Sequence, residues 1–208
     1  MTRADLLSRL ARVLAERALE KGVLRVAIDG PDASGKTTFA RDLGDVLRPL
    51  LTEGAEVRRF TIDDLMMPIQ VRRSEVAADP QWLYENFLDL ARIREIATGL
   101  PENSPPGTVV VLDGMTLQRP ELADLWDVVL YLTAPDELVI SRSRERYARY
   151  VDETEEPHEL DDMERRYVER YIPAYQVYLD SVNPADRADV LIDMTDFDVP
   201  RVKRWDGF

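Results

Sequence analysis

The sequence predicts an α/β fold, a three-layer α/β/α arrangement with a five-stranded mainly parallel sheet covered on both faces. Three observations predict it. Short apolar runs at 24–29, 57–62, 108–113, 128–132 and 188–192 alternate with helical segments, as strands and crossover helices do in parallel sheets. The run 108–113 is continuously apolar rather than alternating, the mark of a strand buried on both faces. A glycine-bearing loop stands where the first run hands over to a helix.

Taken in order, Leu6, Leu10, Val13, Leu14 and Ala18 recur at helical spacing and predict an amphipathic helix over 2–21. The first strand follows, then the loop, then a helix over 36–47 that ends just before Pro49. Between the second strand and Pro80, residues 66–79 form an irregular excursion. Leu83, Phe87, Leu90, Ile93 and Ile96 predict one amphipathic helix over 81–97. A proline-rich loop at 101–107 precedes the central strand, and a short helical piece at 121–126 precedes the fourth. A long charged helical region starts at Asp136, breaks near 154–160, and resumes over 161–179 before the last strand. No repeat, low-complexity tract or linker divides the chain, so residues 1–208 read as a single domain.

The chain has 208 residues, 45 % of them hydrophobic, enough for one substantial core. It has no cysteine, which excludes disulfides and thiolate metal sites. No apolar stretch resembles a signal peptide or a membrane span, and the chain reads as a soluble cytoplasmic protein with no membrane partner. The net charge of −13 argues against binding a nucleic acid polymer, whose affinity rests on neutralising phosphates. A small anionic ligand remains compatible, because local clusters decide that. The lysines are Lys21, Lys36 and Lys203, so Lys36 is the only one in the expected ligand-binding core. A homo-oligomer is compatible with the chain.

The loop reads Gly30-Pro31-Asp32-Ala33-Ser34-Gly35-Lys36-Thr37, followed by Thr38, the full G-x-x-x-x-G-K-[ST] pattern of a P-loop NTPase. A polyphosphate needs several inward-pointing backbone N–H groups at once. Gly30 and Gly35 permit the unusual backbone angles, and the following helix presents the positive end of its dipole. Lys36 reaches the β- and γ-phosphates, and the Thr37 hydroxyl helps to hold Mg²⁺. The ligand expected here is a nucleoside triphosphate, with Gly30 and Asp32 to Thr38 around its phosphates.

Asp113 ends the buried strand and precedes Gly114, which places it beside the loop as a Mg²⁺-linked acid or, more plainly, a turn aspartate. Asp63 and Asp64 end the second strand at the same edge. One of them suits a general base that takes the proton of an attacking hydroxyl, the other a cap or a water-mediated metal contact. Arg142, Arg146 and Arg149 share one helix face, with Arg144 beside them and Arg165, Arg166 and Arg170 on the next segment. Two or three of these seven are expected on phosphate and the rest on a solvated surface. Tyr84 and Phe87, one turn apart, either stack on a planar acceptor or pack in the core. His158, in an acidic stretch, is assigned nothing.

These residues resemble the uridine kinase-like branch of the P-loop nucleoside and small-metabolite kinases, a group that includes phosphoribulokinase and bacterial pantothenate kinase. The likeness is carried by Ile28-Asp-Gly-Pro-Asp-Ala-Ser-Gly-Lys-Thr-Thr38 and by Ile62-Asp-Asp64. It continues in Val111-Leu-Asp-Gly-Met-Thr-Leu-Gln-Arg-Pro-Glu-Leu122 with Leu125-Trp-Asp127, and in Arg165-Arg-Tyr-Val-Glu-Arg-Tyr-Ile-Pro173. The resemblance implies ATP as donor, a hydroxyl-bearing small molecule as acceptor and a helical lid over about 142–170. It implies Lys36 and Thr37 on phosphates and Mg²⁺, Asp113 assisting the metal, Asp63 as base and Arg144 as a catalytic lid residue, with Arg166 and Arg170 on the nucleotide. Asp63, Asp64, Tyr84 and Phe87 would then line the acceptor. The chain departs from the pattern at Leu65-Met66-Met67 and over 72–79, both in the acceptor region. A pyrimidine nucleoside leads the candidates. Pantothenate, a sugar, a nucleoside monophosphate, or a regulatory nucleotide-binding role with little catalysis are the alternatives.

Overall fold

The computed structural model describes residues 1–99, 104–154 and 164–206. Helix α1 (Arg3–Lys21) begins with a capping box, in which the Thr2 hydroxyl accepts from the Asp5 amide and the Asp5 carboxylate from the Thr2 amide. Its stripe of Leu6, Leu10, Leu14 and Ala18 is fully buried, each leucine contributing about 2 kcal/mol. Then follow β1 (Val23–Asp29), α2 (Lys36–Leu47), β2 (Val57–Thr61), α3 (Pro80–Asn86), α4 (Leu90–Gly99), β3 (Thr108–Gly114) and β4 (Val128–Thr133). The chain continues through α5 (Asp136–Thr154), α6 (Ile172–Val182), β5 (Val190–Asp193) and β6 (Arg201–Trp205).

The strand order is β2-β3-β1-β4-β5-β6. The first five strands are parallel, as expected, and every residue of β3 is buried. Helices α1 and α2 pack on one face through Leu10, Phe39 and Leu43 against Val26, Val111 and Leu130. Helices α3, α4 and α6 cover the other face through Leu83, Ile93 and Tyr178 against Ala27 and Leu112.

Two expectations are corrected. The sheet has six strands, not five, because β6 pairs antiparallel with β5 at an edge. Its sequence, Arg-Val-Lys-Arg-Trp, carries no clean alternation, since an edge strand needs to bury only part of one face. Val202 and Trp205 supply that part by packing on the core, with Arg9 4.4 Å from the Trp205 ring centre. The helix expected over 81–97 is two helices. Its middle is taken by a bridge between Met66 and Leu88, where the Met67 amide donates to the Phe87 carbonyl and the Asp89 amide to the Leu65 carbonyl, each at 2.9 Å. Asp89 then caps α4 by accepting from the Arg92 amide at 2.9 Å. Of the expected break at 154–160, only Thr154, which ends α5, is described; His158 lies outside the described residues, as does the part of the expected lid at 155–163. No described helix is long and apolar enough to cross a membrane.

Asp193, at the end of β5, accepts from the Thr195 amide at 2.9 Å and hydroxyl at 2.6 Å, and pairs with Lys203 of β6 at 3.1 Å. The Thr195 hydroxyl and amide, helped by Lys203, pull its carboxyl from an ordinary 3.8 down to about 2. A depressed carboxyl stabilises the folded state above its unfolded value and loses that contribution as pH falls. The melting temperature of the protein should therefore drop between pH 3.8 and about 2, and an Asp193→Asn variant should drop less across that window. An equal drop in thermal melts would contradict this.

Candidate functional site

The carboxyl ends of β1, β2 and β3 meet at one edge of the sheet, where ligands bind in open α/β folds. Register brings Thr61 of β2 opposite Asp113 of β3, and Gly114 opposite Asp29 of β1. The loop at 30–37 leaves β1 and feeds directly into α2. Gly30 has φ +151°, and a Cβ there would stand 2.2 Å from the Leu132 carbonyl oxygen. Gly35 has φ +90°, and a Cβ there would stand 2.2 Å from the Phe197 ring. Only glycine fits either place.

Beneath the loop lies a fully buried carboxylate that sequence reasoning did not single out. Asp29 accepts from the Gly30 amide at 2.7 Å, from the Gln118 side chain at 3.2 Å and from the Tyr178 hydroxyl. Burial pushes its carboxyl above the ordinary value, and the three donors oppose that. The signal was present as one acid closing an apolar strand before Gly30. A Tyr178→Phe variant, which leaves Asp29 one donor short, should lose about 1–3 kcal/mol in denaturant titration. Unchanged stability would show that the bond is not formed.

A cleft of about 690 Å³ opens above the loop. Lys36, Arg142, Arg146 and Arg149 line it together with Asp32, Asp63, Asp113 and Glu145, so charge is balanced there in a chain that is otherwise strongly acidic. The Lys36 ammonium donates to the Pro31 carbonyl at 2.6 Å. Burial lowers its pKa, while Asp32, Asp29, Asp113 and Asp63 act in the opposite direction. The Thr37 hydroxyl donates to Asp113 at 2.7 Å, and the Thr61 hydroxyl lies 3.4 Å from the same oxygen. Burial raises the Asp113 carboxyl despite Thr37 and Lys36. Ala33, Thr37 and Thr38 also line the cleft, and the Ser34 hydroxyl is buried with no hydrogen-bond partner among the described residues.

The two adjacent aspartates separate. In the turn Ile62–Leu65, Asp63 lines the cleft and Asp64 does not. The arginines sort by face. Arg142, Arg146 and Arg149 of α5 reach the cleft, whereas Arg144 points to Glu164 at 3.3 Å. Arg170 donates to the Ser74 carbonyl at 3.2 Å, and Arg166 stands outside the cleft lining. Arg146 forms a bidentate pair with Asp32 of the loop at 2.9 and 2.7 Å. Burial works against the Asp32 charge, but Arg146 and Lys36 outweigh it and hold that carboxyl below its ordinary value. Phe197, which follows β5, had no sequence signal. Its ring lies 3.9 Å from the Arg142 guanidinium, whose N–H groups donate to the carbonyls of Met194 and Thr195 at 3.1 Å each.

Tyr84 and Phe87 are both buried. Tyr84 packs in the core between Arg119, 4.6 Å from its ring centre, and Tyr178. Phe87 lines a cavity of about 20 Å³ with Met115, Tyr171 and Tyr175. A second cavity of about 380 Å³ lies between α5 and α6, walled by Tyr131, Tyr167, Tyr171 and Tyr175, with Gln176 and Asp136 at its rim. A π-helical turn, Tyr167–Tyr171, leads into α6 and supplies two of those rings. Met115 borders all three spaces, and Asp32 borders both larger ones.

The glycine-bearing loop at the carboxyl end of β1, its buried support and the sheet order define an α/β fold of the P-loop class. No protein-family model matches the chain, and no curated protein sequence does either. Solved structures do. A possible uridine kinase from Bacillus stearothermophilus superposes with a TM-score of 0.58 at 21 % identity, over 86 % of this chain and 97 % of that one. The YGR205w protein gives 0.58 at 12 % identity over 88 % and 90 %. A candidate fructose transport system kinase from Silicibacter sp. TM1040 gives 0.52 at 18 % identity over 67 % and 82 %. At these identities the likeness establishes the fold, that of uridine kinase-like and related P-loop kinases.

Proposed function

We propose that this protein transfers the terminal phosphoryl group of ATP to a hydroxyl of a small metabolite, a pyrimidine nucleoside being the leading acceptor. One observation carries the reading: a phosphate cleft and a tyrosine-walled cavity meet at Met115 and Asp32, with the Asp63 carboxylate on the cleft side. A protein that only bound or hydrolysed nucleotide would not need the second space. Four tyrosines around about 380 Å³ suit a planar acceptor of nucleoside size.

Lys36 and the α5 arginines neutralise charge that spreads over the phosphoryl oxygens during transfer. Asp63 takes the proton of the attacking hydroxyl. Thr37 and Asp113, adjacent oxygen donors joined at 2.7 Å, fit a hard cation such as Mg²⁺. That ion, when bound, supplies charge neutralisation on the phosphates. Among the described residues no group of three or more acids or histidines could hold a metal by itself, so the phosphates would complete its shell.

The test is ADP release from Mg-ATP with uridine, cytidine, pantothenate, fructose and nucleoside monophosphates, each against an acceptor-free control. The proposal predicts strong stimulation by one acceptor, a nucleoside first. Binding of ATP with no stimulation by any of them would favour a regulatory nucleotide-binding role.

A further inference from the structure

Asp32 is an unexpected side chain in a loop read as binding an anion. A carboxylate there repels phosphate and so opposes the attraction that Lys36 and the loop amides supply. Serine or glycine at the same place would carry no such penalty. The contacts of Asp32 show what its charge holds.

The carboxylate is fixed at the loop by the Ala33 amide, which donates to Oδ1 at 2.8 Å within a left-handed turn, φ +52° at Ala33. From α5, Nη1 and Nη2 of Arg146 donate to Oδ1 and Oδ2 at 2.9 and 2.7 Å, across 114 positions of sequence. Such a fork fixes the plane of a guanidinium as well as its position. The other arginines of α5 are engaged elsewhere. Arg142 donates to the carbonyls of Met194 and Thr195, Arg144 pairs with Glu164, and Arg149 donates to the Glu145 carbonyl on its own helix. Among the described residues, Arg146 is therefore the α5 arginine tied to the loop itself. It lines the cleft together with Asp32, Lys36 and Asp63. A guanidinium carries five donors, so it can hold a carboxylate along one edge and phosphate oxygens along another.

Resting on the kinase reading above, we propose that Asp32 is a positioning residue: it holds the Arg146 guanidinium at the loop, so that Arg146 is the α5 cation that meets the transferring phosphoryl group. The Arg146 side chain is half-exposed, and without a partner in the loop it would spread over many rotamers. The pair removes that freedom in advance, which favours transfer, while the carboxylate costs some affinity for the bound nucleotide.

Asp32→Asn, Arg146→Gln and the double variant test this by steady-state kinetics with Mg-ATP and uridine, or the panel's best acceptor if that differs. Asp32→Asn can keep the bond to the Ala33 amide but loses the charge that grips Arg146. It should lower kcat about tenfold while the KM for Mg-ATP stays level or falls. Arg146→Gln should lower kcat about a hundredfold, and adding Asp32→Asn to it should change kcat by less than about twofold. Both single variants should melt within a few degrees of the parent, because a half-exposed pair contributes little stability. Losses that multiply in the double variant overturn the proposal, since Asp32 would then act through another group such as Lys36. An unchanged kcat in either single variant overturns it too. So does a raised KM for Mg-ATP in Asp32→Asn, or a much lower melting temperature in either, because the pair would then be a brace for the loop. A parent that binds Mg-ATP yet phosphorylates no acceptor defeats the kinase reading itself, and the inference fails with it.

Discussion

Replacing Lys36 with alanine is expected to slow phosphoryl transfer about a thousandfold while leaving the fold intact. Lys36 is the cation that α2 delivers into the phosphate loop, buried and surrounded by Asp29, Asp32, Asp63 and Asp113. Its ammonium donates to the Pro31 carbonyl at 2.6 Å, a partner that phosphate oxygen would replace under the proposed role. Burial disfavours the charge, so removing it forfeits little stability, and the melting temperature should move by only a few degrees. Initial rates with a saturating acceptor and a thermal melt on the same preparation check both halves. A variant with normal turnover would remove Lys36 from the mechanism, and an unfolded one would make its role structural.

Asp63→Asn should lower kcat by about a hundredfold to ten-thousandfold, with the KM for Mg-ATP nearly unchanged. Asp64→Asn should stay within about twofold of the parent. The adjacent carboxylates differ in direction, since only Asp63 faces the cleft. Asp63 is also near enough to Lys36 and Asp113 for its charge to act on both. The isosteric amide preserves shape and removes the proton acceptor, so the loss should fall on the chemical step. Steady-state kinetics of the two variants decide the assignment. A severe loss in Asp64→Asn with an active Asp63→Asn would reverse it.

Much of this architecture is legible in the sequence because local signals and tertiary context agree there. The five parallel strands are apolar runs long enough to be seen, and the helix Lys36–Leu47 has the bounds that its sequence predicts. The loop at 30–37 is legible because few residues other than glycine tolerate the backbone angles at its two ends. Thr37 and Asp113, 76 positions apart, could be paired because each ends or begins an element at the same sheet edge. The misses have a common origin in contacts that no local pattern encodes. The edge strand β6 is stabilised by pairing with β5 and by Trp205, not by alternation. The break between α3 and α4 follows from the bridge to Met66, more than twenty residues earlier. The choice among seven arginines depended on which face of α5 turns toward the loop, and the tyrosine-walled cavity assembles rings from three separate segments.

The claim beneath all of this is that residues 30–37 hold the phosphate chain of a magnesium-bound nucleotide. Equilibrium dialysis of the protein against radiolabelled ATP, with and without Mg²⁺, measures it directly. About one equivalent should be retained with Mg²⁺, and retention should be abolished or strongly weakened in Lys36→Ala. Folded protein that retains no nucleotide under either condition, or retains it equally with Lys36 removed, would contradict the account.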